Sequence, residues 1–104
     1  MNRIDKVFNK LKEENKKALI PFIANGDPTL EKTVKTILKL EKKGANIVEI
    51  GIPFSDPLAD GPVIQESYIR ALKGGVKVKD VFKVGKKVRE ESEIPLVIMV
   101  YYNI

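Results

Sequence analysis

Apolar residues follow two kinds of spacing along this chain, and the two kinds alternate from one end to the other. Stretches with apolar residues three and four positions apart predict amphipathic helices, whereas short, continuously apolar stretches between turn residues predict buried strands. Helices are predicted at residues 2–17, 30–43, 62–73 and 78–91, and strands at residues 18–23, 46–50 and 96–102.

Cap and turn residues add detail to these predictions. Thr29 can cap the second helix, and Gly44 stands where a left-handed C-terminal cap is expected. Pro21, inside the first predicted strand, predicts an edge position or an irregular ladder there. The faces predicted to be buried carry Ile4, Val7, Phe8 and Leu11 in the first helix, Leu30, Val34, Ile37 and Leu38 in the second, and Val78, Val81, Phe82 and Val88 in the last.

The order of the elements predicts the fold class. Strands that alternate with helices and are apolar on both faces are typical of a parallel sheet covered by helices. We therefore predict one α/β domain over residues 1–104. A complete (β/α)8 barrel needs about 250 residues, so the chain would supply roughly 40% of one. The open edge of the last strand leads us to expect a truncated barrel, which is the simpler interpretation, or association through that edge.

Composition narrows the chemistry that the chain could perform. It has no cysteine and no histidine, so acid–base chemistry would have to come from Asp, Glu, Lys or Tyr. The net charge is +5, but the lysines alternate with glutamates along the predicted helices. This pattern favours solvated helix surfaces over nucleic-acid binding, because no aromatic residues alternate with the basic ones to stack on bases. No apolar stretch reaches the ~18 residues of a membrane span, and we expect no secretory signal because residues 1–5 contain no apolar h-region.

Glu49 is the first candidate for a functional residue. It is a charged residue near the end of a strand that is otherwise apolar, and burying a carboxylate costs several kcal/mol unless the charge is paired or neutralised. Strand alternation points Ile47 and Glu49 to one face and Val48 and Ile50 to the other. Two interpretations remain open: an ion pair with a lysine at the rim of the sheet, or catalysis at the carboxyl end of a barrel strand.

Asp60 is the second candidate. It lies in a loop of residues 51–61 that is rich in proline and glycine, and loops after parallel strands gather at the carboxyl edge of the sheet. Its position before Gly61 and Pro62 favours a role as the cap of the next helix over a catalytic role. Together with Glu49, however, it could form a pair of carboxylates with separate acid and base roles.

A family resemblance covers the whole chain. Residues 49–65, EIGIPFSDPLADGPVIQ, closely resemble the signature of the tryptophan synthase α subunit. Residues 21–23 and 26–28 are similar to the first strand and turn of that family. Residues 71–76 are similar to its helix end and glycine turn, and residues 94–103 to its third strand. The resemblance implies a (β/α)8 barrel with an extra N-terminal helix, of which this chain would hold only the first three strands and their helices. It also implies a retro-aldol cleavage, without a cofactor, of indole-3-glycerol phosphate to indole and glyceraldehyde 3-phosphate in tryptophan biosynthesis.

The resemblance also implies roles for individual residues. Glu49 would protonate the indole ring at the carbon that bears the glycerol chain, and would help to remove the hydroxyl proton. Asp60 would accept a hydrogen bond from the indole nitrogen. Phe22, Met99 and Tyr101 match positions that line the indole pocket, although core packing is an equal alternative for Met99.

The resemblance further implies a partner in the cytoplasm, a β subunit that carries pyridoxal phosphate in an αββα complex. Pro53 and Asp56 match the surface that meets it. The loops that hold the substrate phosphate in the family follow the last barrel strands and have no counterpart here. We therefore expect these 104 residues to be inactive alone. The alternatives are a non-catalytic module that keeps the β-subunit-binding surface, and a partial barrel that associates with itself.

Overall fold

The computed structural model describes residues 1–55 and 60–101. The elements are α1 (Arg3–Glu13), β1 (Phe22–Ala24), α2 (Leu30–Lys42), β2 (Val48–Gly51), α3 (Pro62–Lys73), α4 (Asp80–Arg89) and β3 (Leu96–Met99). Their order confirms the predicted alternation, with ends that differ by a few residues. Within the described ranges, no helix is both long enough and apolar enough to cross a membrane.

The three strands form one parallel sheet in the order β1-β2-β3. Phe22 of β1 is the register partner of Glu49 in β2, and Glu49 is in turn the partner of Val97 in β3. Register partners in a parallel sheet present their side chains to the same face. Glu49 therefore stands in a row between a phenyl ring and a valine.

The hydrophobic core lies on the other face of the sheet. Val48 and Ile50 are both fully buried and pack with Ile37 of α2 and with Val84 and Val88 of α4. Since residues along a strand alternate between faces, this packing directs Glu49 away from α2 and α4. The alternation predicted from the sequence is thereby confirmed.

The predicted first strand is shorter than expected. Leu19 and Ile20 are exposed, although the segment still lies beside β2. The Glu49 N–H donates to the Pro21 carbonyl over 2.9 Å, and the Asn46 N–H donates to the Leu19 carbonyl over 2.9 Å. Pro21 has no N–H to return a bond to the ladder, so regular pairing begins only at Phe22. The irregularity predicted at Pro21 is confirmed.

The two predicted caps of α2 are confirmed. The Lys32 N–H donates to the Thr29 side-chain oxygen over 3.1 Å, which satisfies one of the free donors of the first turn. At the other end, Gly44 has a φ of +109°, which suits a residue without a Cβ.

The buried face predicted for α4 is partly wrong. Phe82 is 74% exposed and Val78 is 47% exposed. The helix begins at Asp80, whose carboxylate accepts a hydrogen bond from the Lys77 N–H. Its buried stripe is Val81, Val84 and Val88, which are spaced three and four apart, so that Phe82 faces away from the sheet. Phe8 of α1 is also wrongly predicted as buried, since it is 46% exposed.

Removing side-chain volume from the core should separate buried from exposed isoleucines. Ile37→Ala deletes a fully buried side chain, and we expect it to lower the free energy of unfolding by about 2–5 kcal/mol. Ile69→Ala is the matched control, because Ile69 is 50% exposed, and its effect should be about 1 kcal/mol or less. Urea unfolding followed by circular dichroism measures both. Equal losses in the two variants would contradict the packing described here.

Candidate active site

Glu49 lies on the sheet face opposite the core and is half-buried. Its neighbours in register are the side chains of Phe22 and Val97, so the carboxylate is flanked by apolar groups across the sheet. Among the ion pairs of the described residues, none includes Glu49. The geometry therefore gives no support to the interpretation of Glu49 as half of an ion pair at the rim.

Asp60 does not cap α3, contrary to the role that its local sequence favours. The N-cap is Gly61, which makes no side-chain capping bond. The Asp60 carboxylate instead accepts a hydrogen bond from the Tyr101 hydroxyl, with 2.5 Å between Oη and Oδ2. The helix starts without a side-chain cap because its N-cap residue is a glycine, and Pro62 at the first helical position presets the backbone φ there. The Asp60 side chain is thus available for another contact.

Contacts from three parts of the chain position Asp60. The Gln65 side-chain amide donates to the Asp60 carbonyl over 2.8 Å, which joins the end of the loop to the first turns of α3. Phe54, from the loop after β2, stacks on the Tyr101 ring, with ring centroids 4.8 Å apart and an interplanar angle of 22°. Stacking of this kind contributes about 0.5–1.5 kcal/mol beyond area burial. The stacking thus restricts the orientation of Tyr101, the residue whose hydroxyl bonds the Asp60 carboxylate.

Gly51, at the carboxyl end of β2, makes room for two larger side chains. A Cβ placed on Gly51 would clash with the Phe22 ring and would lie 2.5 Å from the Tyr68 hydroxyl oxygen. The Phe22 ring edge and the Tyr68 hydroxyl therefore converge over the backbone of this glycine. Any larger residue at position 51 would displace one of them.

Tyr68 is a site residue that the sequence analysis missed. It belongs to α3, three residues after Gln65, and is only 1% exposed. Burial and, to a smaller extent, the charges of Asp60 and Tyr101 raise the pKa of Tyr68 to about 12, so its hydroxyl keeps its proton at any physiological pH. Its spacing of three from Gln65 places Tyr68 on the same helix face, which was the only indication in the sequence. Helical spacing alone cannot show which part of the fold its hydroxyl reaches.

The remaining predicted site residues have different surroundings. Met99 is half-buried and is the register partner of Gly51, two positions beyond the row of Glu49 on the same face. Pro53 is buried in this chain. Asp56 lies outside the described residues, and its predicted contact with a partner stays a prediction.

The turn after β1 connects the same sheet edge to α3. The Arg70 guanidinium donates two hydrogen bonds to the Asp27 carboxylate, over 2.9 and 3.0 Å. Gly26, with a φ of +88°, donates its N–H to the Thr33 hydroxyl over 2.9 Å. Paired hydrogen bonds between a guanidinium and a carboxylate fix both distance and orientation. The helix that carries Gln65 and Tyr68 is therefore fixed to β1 as well as to β2.

The chemistry available at this edge is that of two carboxylates among aromatic groups. Within residues 1–55 and 60–101, no three His, Cys, Asp or Glu side chains are grouped so that they could hold a metal ion. A half-buried carboxylate beside apolar side chains can exchange a proton with a ring bound there. A second carboxylate, held by a phenol, can accept a hydrogen bond from a polar atom of the same ring.

Comparisons with known proteins agree with this description of an α/β protein that holds the first strands of a barrel. A family profile described as "Tryptophan synthase alpha chain" matches residues 8–104. The chain belongs to the tryptophan synthase alpha chain family. It is 61% identical over 103 residues to the tryptophan synthase alpha chain of Clostridium kluyveri and 62% identical over 105 residues to that of Clostridium beijerinckii.

The same relatives are much longer than this chain. The match covers 99% of this chain and 39% of the Clostridium kluyveri protein, and 100% of this chain and 41% of the Clostridium beijerinckii protein. Among solved structures, tryptophan synthase subunit alpha from Legionella pneumophila str. Paris is similar, with a TM-score of 0.96 and 47% identity. That alignment covers 99% of this chain and 40% of the Legionella protein. The predicted fold class, the first three strands of a (β/α)8 barrel, is confirmed.

Adding one methyl group at Gly51 should disturb the site, whereas the same change elsewhere should not. Gly51→Ala places a Cβ against Phe22 and Tyr68, and we expect a loss of about 1–3 kcal/mol in the free energy of unfolding from overpacking. Gly85→Ala is the matched control. Gly85 lies inside α4, and a Cβ added to it meets nothing within 4 Å. This substitution should stabilise the chain by about 0.5–1 kcal/mol. Urea unfolding compares the two, and a neutral Gly51→Ala variant would contradict the close approach over Gly51.

Proposed function

We propose that this chain supplies the two catalytic carboxylates for the retro-aldol cleavage of indole-3-glycerol phosphate to indole and glyceraldehyde 3-phosphate. The proposal comes from family membership and from the residue roles that the family resemblance implies. One observation carries it in this structure. Glu49 and Asp60 belong to the same strand–loop–helix connection: Glu49 stands on the sheet face opposite the core, and Asp60 is held by Tyr101 from the segment after β3.

The proposed role of Glu49 is proton transfer at the indole carbon that bears the glycerol chain. The carboxyl group delivers a proton to that carbon and helps to remove the proton of the adjacent side-chain hydroxyl, after which the carbon–carbon bond breaks. The positions of Phe22 and Val97 on either side of Glu49 support this role. Apolar neighbours offer a surface for a flat ring while leaving the carboxylate within reach of its edge.

The proposed role of Asp60 is to accept a hydrogen bond from the indole nitrogen and to stabilise the positive charge that develops on the ring. A carboxylate has about four lone-pair sites, and the Tyr101 hydroxyl uses one of them. Its position is set by Tyr101 and by Gln65, so it does not have to be ordered when the ring binds. Such preorganisation is the usual source of electrostatic stabilisation in enzymes.

The rest of the proposed pocket is formed only in part by these 104 residues. Phe22, Met99 and Tyr101 would contact the indole ring. The phosphate of the substrate would be bound by residues that correspond to the last barrel strands of the longer relatives. Without those contacts, the substrate is not positioned against the carboxylates. We therefore propose that these 104 residues alone do not release indole at a useful rate.

The proposed partner is a tryptophan synthase β subunit, in an αββα complex in the cytoplasm. The β subunit would carry pyridoxal phosphate and would consume the indole. The reaction proposed for the present chain uses no cofactor. Pro53 and Asp56 would belong to the surface that meets the partner. Because Pro53 is buried here, its proposed role is to shape the loop that contains Asp56.

Completing the barrel should restore activity that depends on Glu49. A chimera would join residues 1–104 to the portion of the Clostridium kluyveri relative that follows the matched region, since the two are 61% identical where they overlap. We expect the chimera to release indole from indole-3-glycerol phosphate, measured by absorbance. Its Glu49→Gln variant should lose about 10²–10⁴ in kcat, the usual contribution of a general acid–base group.

Two controls belong to this assay. The 104-residue chain alone should release no measurable indole. Asp5→Asn in the chimera removes an exposed carboxylate from α1, far from the sheet edge, and should leave kcat unchanged. A folded chimera that is equally active with and without Glu49→Gln would disprove the proposed role of this residue.

A further inference from the structure

The Tyr68 hydroxyl is buried and has no hydrogen-bond partner within the described part of the chain. The side chain is 1% exposed. Leaving a buried hydroxyl unpaired costs about 1–3 kcal/mol. The side chain that carries this hydroxyl belongs to α3, which begins two residues after Asp60, so an acceptor in the site is the first place to look for its partner.

The hydroxyl lies on the site side of α3. It approaches the backbone of Gly51 together with the Phe22 ring, and Phe22 is the register partner of Glu49. Tyr68 follows Gln65 by three residues, so the two side chains lie on the same helix face. Since the Gln65 amide already bonds the Asp60 carbonyl, this face of α3 is the one directed at Asp60.

The chemistry of a phenol limits what this hydroxyl can do. A neutral phenol donates one hydrogen bond, and the strongest acceptor for it is an ionised carboxylate. Asp60 and Tyr101 are the charged or ionisable groups whose electrostatic effect reaches Tyr68 from the rest of the site, and both raise its pKa. Tyr101 already shows the contact in question, a phenol that donates to Asp60.

We propose that Tyr68 is a second positioning residue for Asp60, and that its hydroxyl donates a hydrogen bond to the Asp60 carboxylate alongside the one from Tyr101. This hydrogen bond satisfies a buried donor that otherwise has no partner within the described part of the chain. The two phenols hold the carboxylate from α3 and from the end of β3. Any effect of these two hydrogen bonds on indole binding rests on the function proposed above, whereas the hydrogen bond between Tyr68 and Asp60 does not.

The contact has a consequence for the orientation of the Asp60 carboxylate. A carboxylate held by a single donor can still rotate about its own axis, whereas one held by two donors from different elements cannot. Two phenol donors leave the remaining lone pairs pointing in a defined direction. A ring N–H that arrives along this direction finds an acceptor that is already oriented.

Tyrosine hydroxyl carbons report the contact directly. The 104-residue chain would be labelled with 13C at the tyrosine Cζ, and its three signals assigned with the variants Tyr68→Phe, Tyr101→Phe and Tyr102→Phe. In Asp60→Ala, we expect the signals of both Tyr68 and Tyr101 to shift, because both lose an acceptor. Glu66→Ala, which removes an exposed carboxylate from α3, should leave the chemical shifts of both tyrosines unchanged. Movement of the Tyr101 signal alone would overturn the proposal.

A double-mutant cycle gives a second, independent readout. Tyr68→Phe and Asp60→Ala would be combined, and the unfolding equilibrium constant measured in urea for each variant. We expect the two changes to be coupled by about tenfold, as is typical of a hydrogen bond to a charged group. The cycle of Tyr101→Phe with Asp60→Ala serves as the reference for a contact that the structure shows. Additive effects of Tyr68→Phe and Asp60→Ala would mean that Tyr68 only fills space.

The two proposals fail separately. Neither the NMR measurement nor the double-mutant cycle uses a substrate, so the absence of indole release from the chimera would not affect their outcome. Conversely, a Tyr68 signal whose chemical shift is the same in Asp60→Ala would not affect the proposed roles of Glu49 and Asp60. It would remove only the second phenol from the site.

Discussion

The two faces of β2 are covered differently, and this difference places Glu49 and the residues beside it on the sheet. Val48 and Ile50 are fully buried against α2 and α4, which fixes the orientation of the strand. Reversing the faces would put the Glu49 carboxylate into a core without a partner, at a cost of several kcal/mol. Hydrophobic packing on one side thus places the charge on the other, beside Phe22 and Val97.

Asp60 depends on contacts between distant parts of the chain. Its side chain bonds to Tyr101, 41 residues further along the sequence, and its backbone is bonded by Gln65 of the following helix. The stacking of Phe54 on Tyr101 closes this arrangement. Because the loop after β2 and the segment after β3 leave adjacent strands of a parallel sheet at the same edge, these groups can meet although no local pattern connects them.

The sequence predicted much of the fold from local physics. The capping oxygen of Thr29 and the left-handed Gly44 follow from requirements that act within one helical turn. The buried face of α4 was harder to predict, because both Phe82 and Val84 fit an apolar stripe and only the packing against the sheet distinguishes them. Phe82 is exposed, and Val84 lies in the core.

By itself, the sequence determined the order of helices and strands, the placement of Glu49 on the opposite face of β2 from Val48 and Ile50, and the resemblance that identifies the family. These are properties of spacing and of a contiguous motif, which need no knowledge of distant contacts. The tertiary structure alone decided that Asp60 bonds Tyr101 instead of capping α3, and that the Tyr68 hydroxyl is buried over Gly51. Both outcomes depend on how neighbouring strands and the helix after them are arranged in space, and side-chain periodicity carries no information about such arrangements.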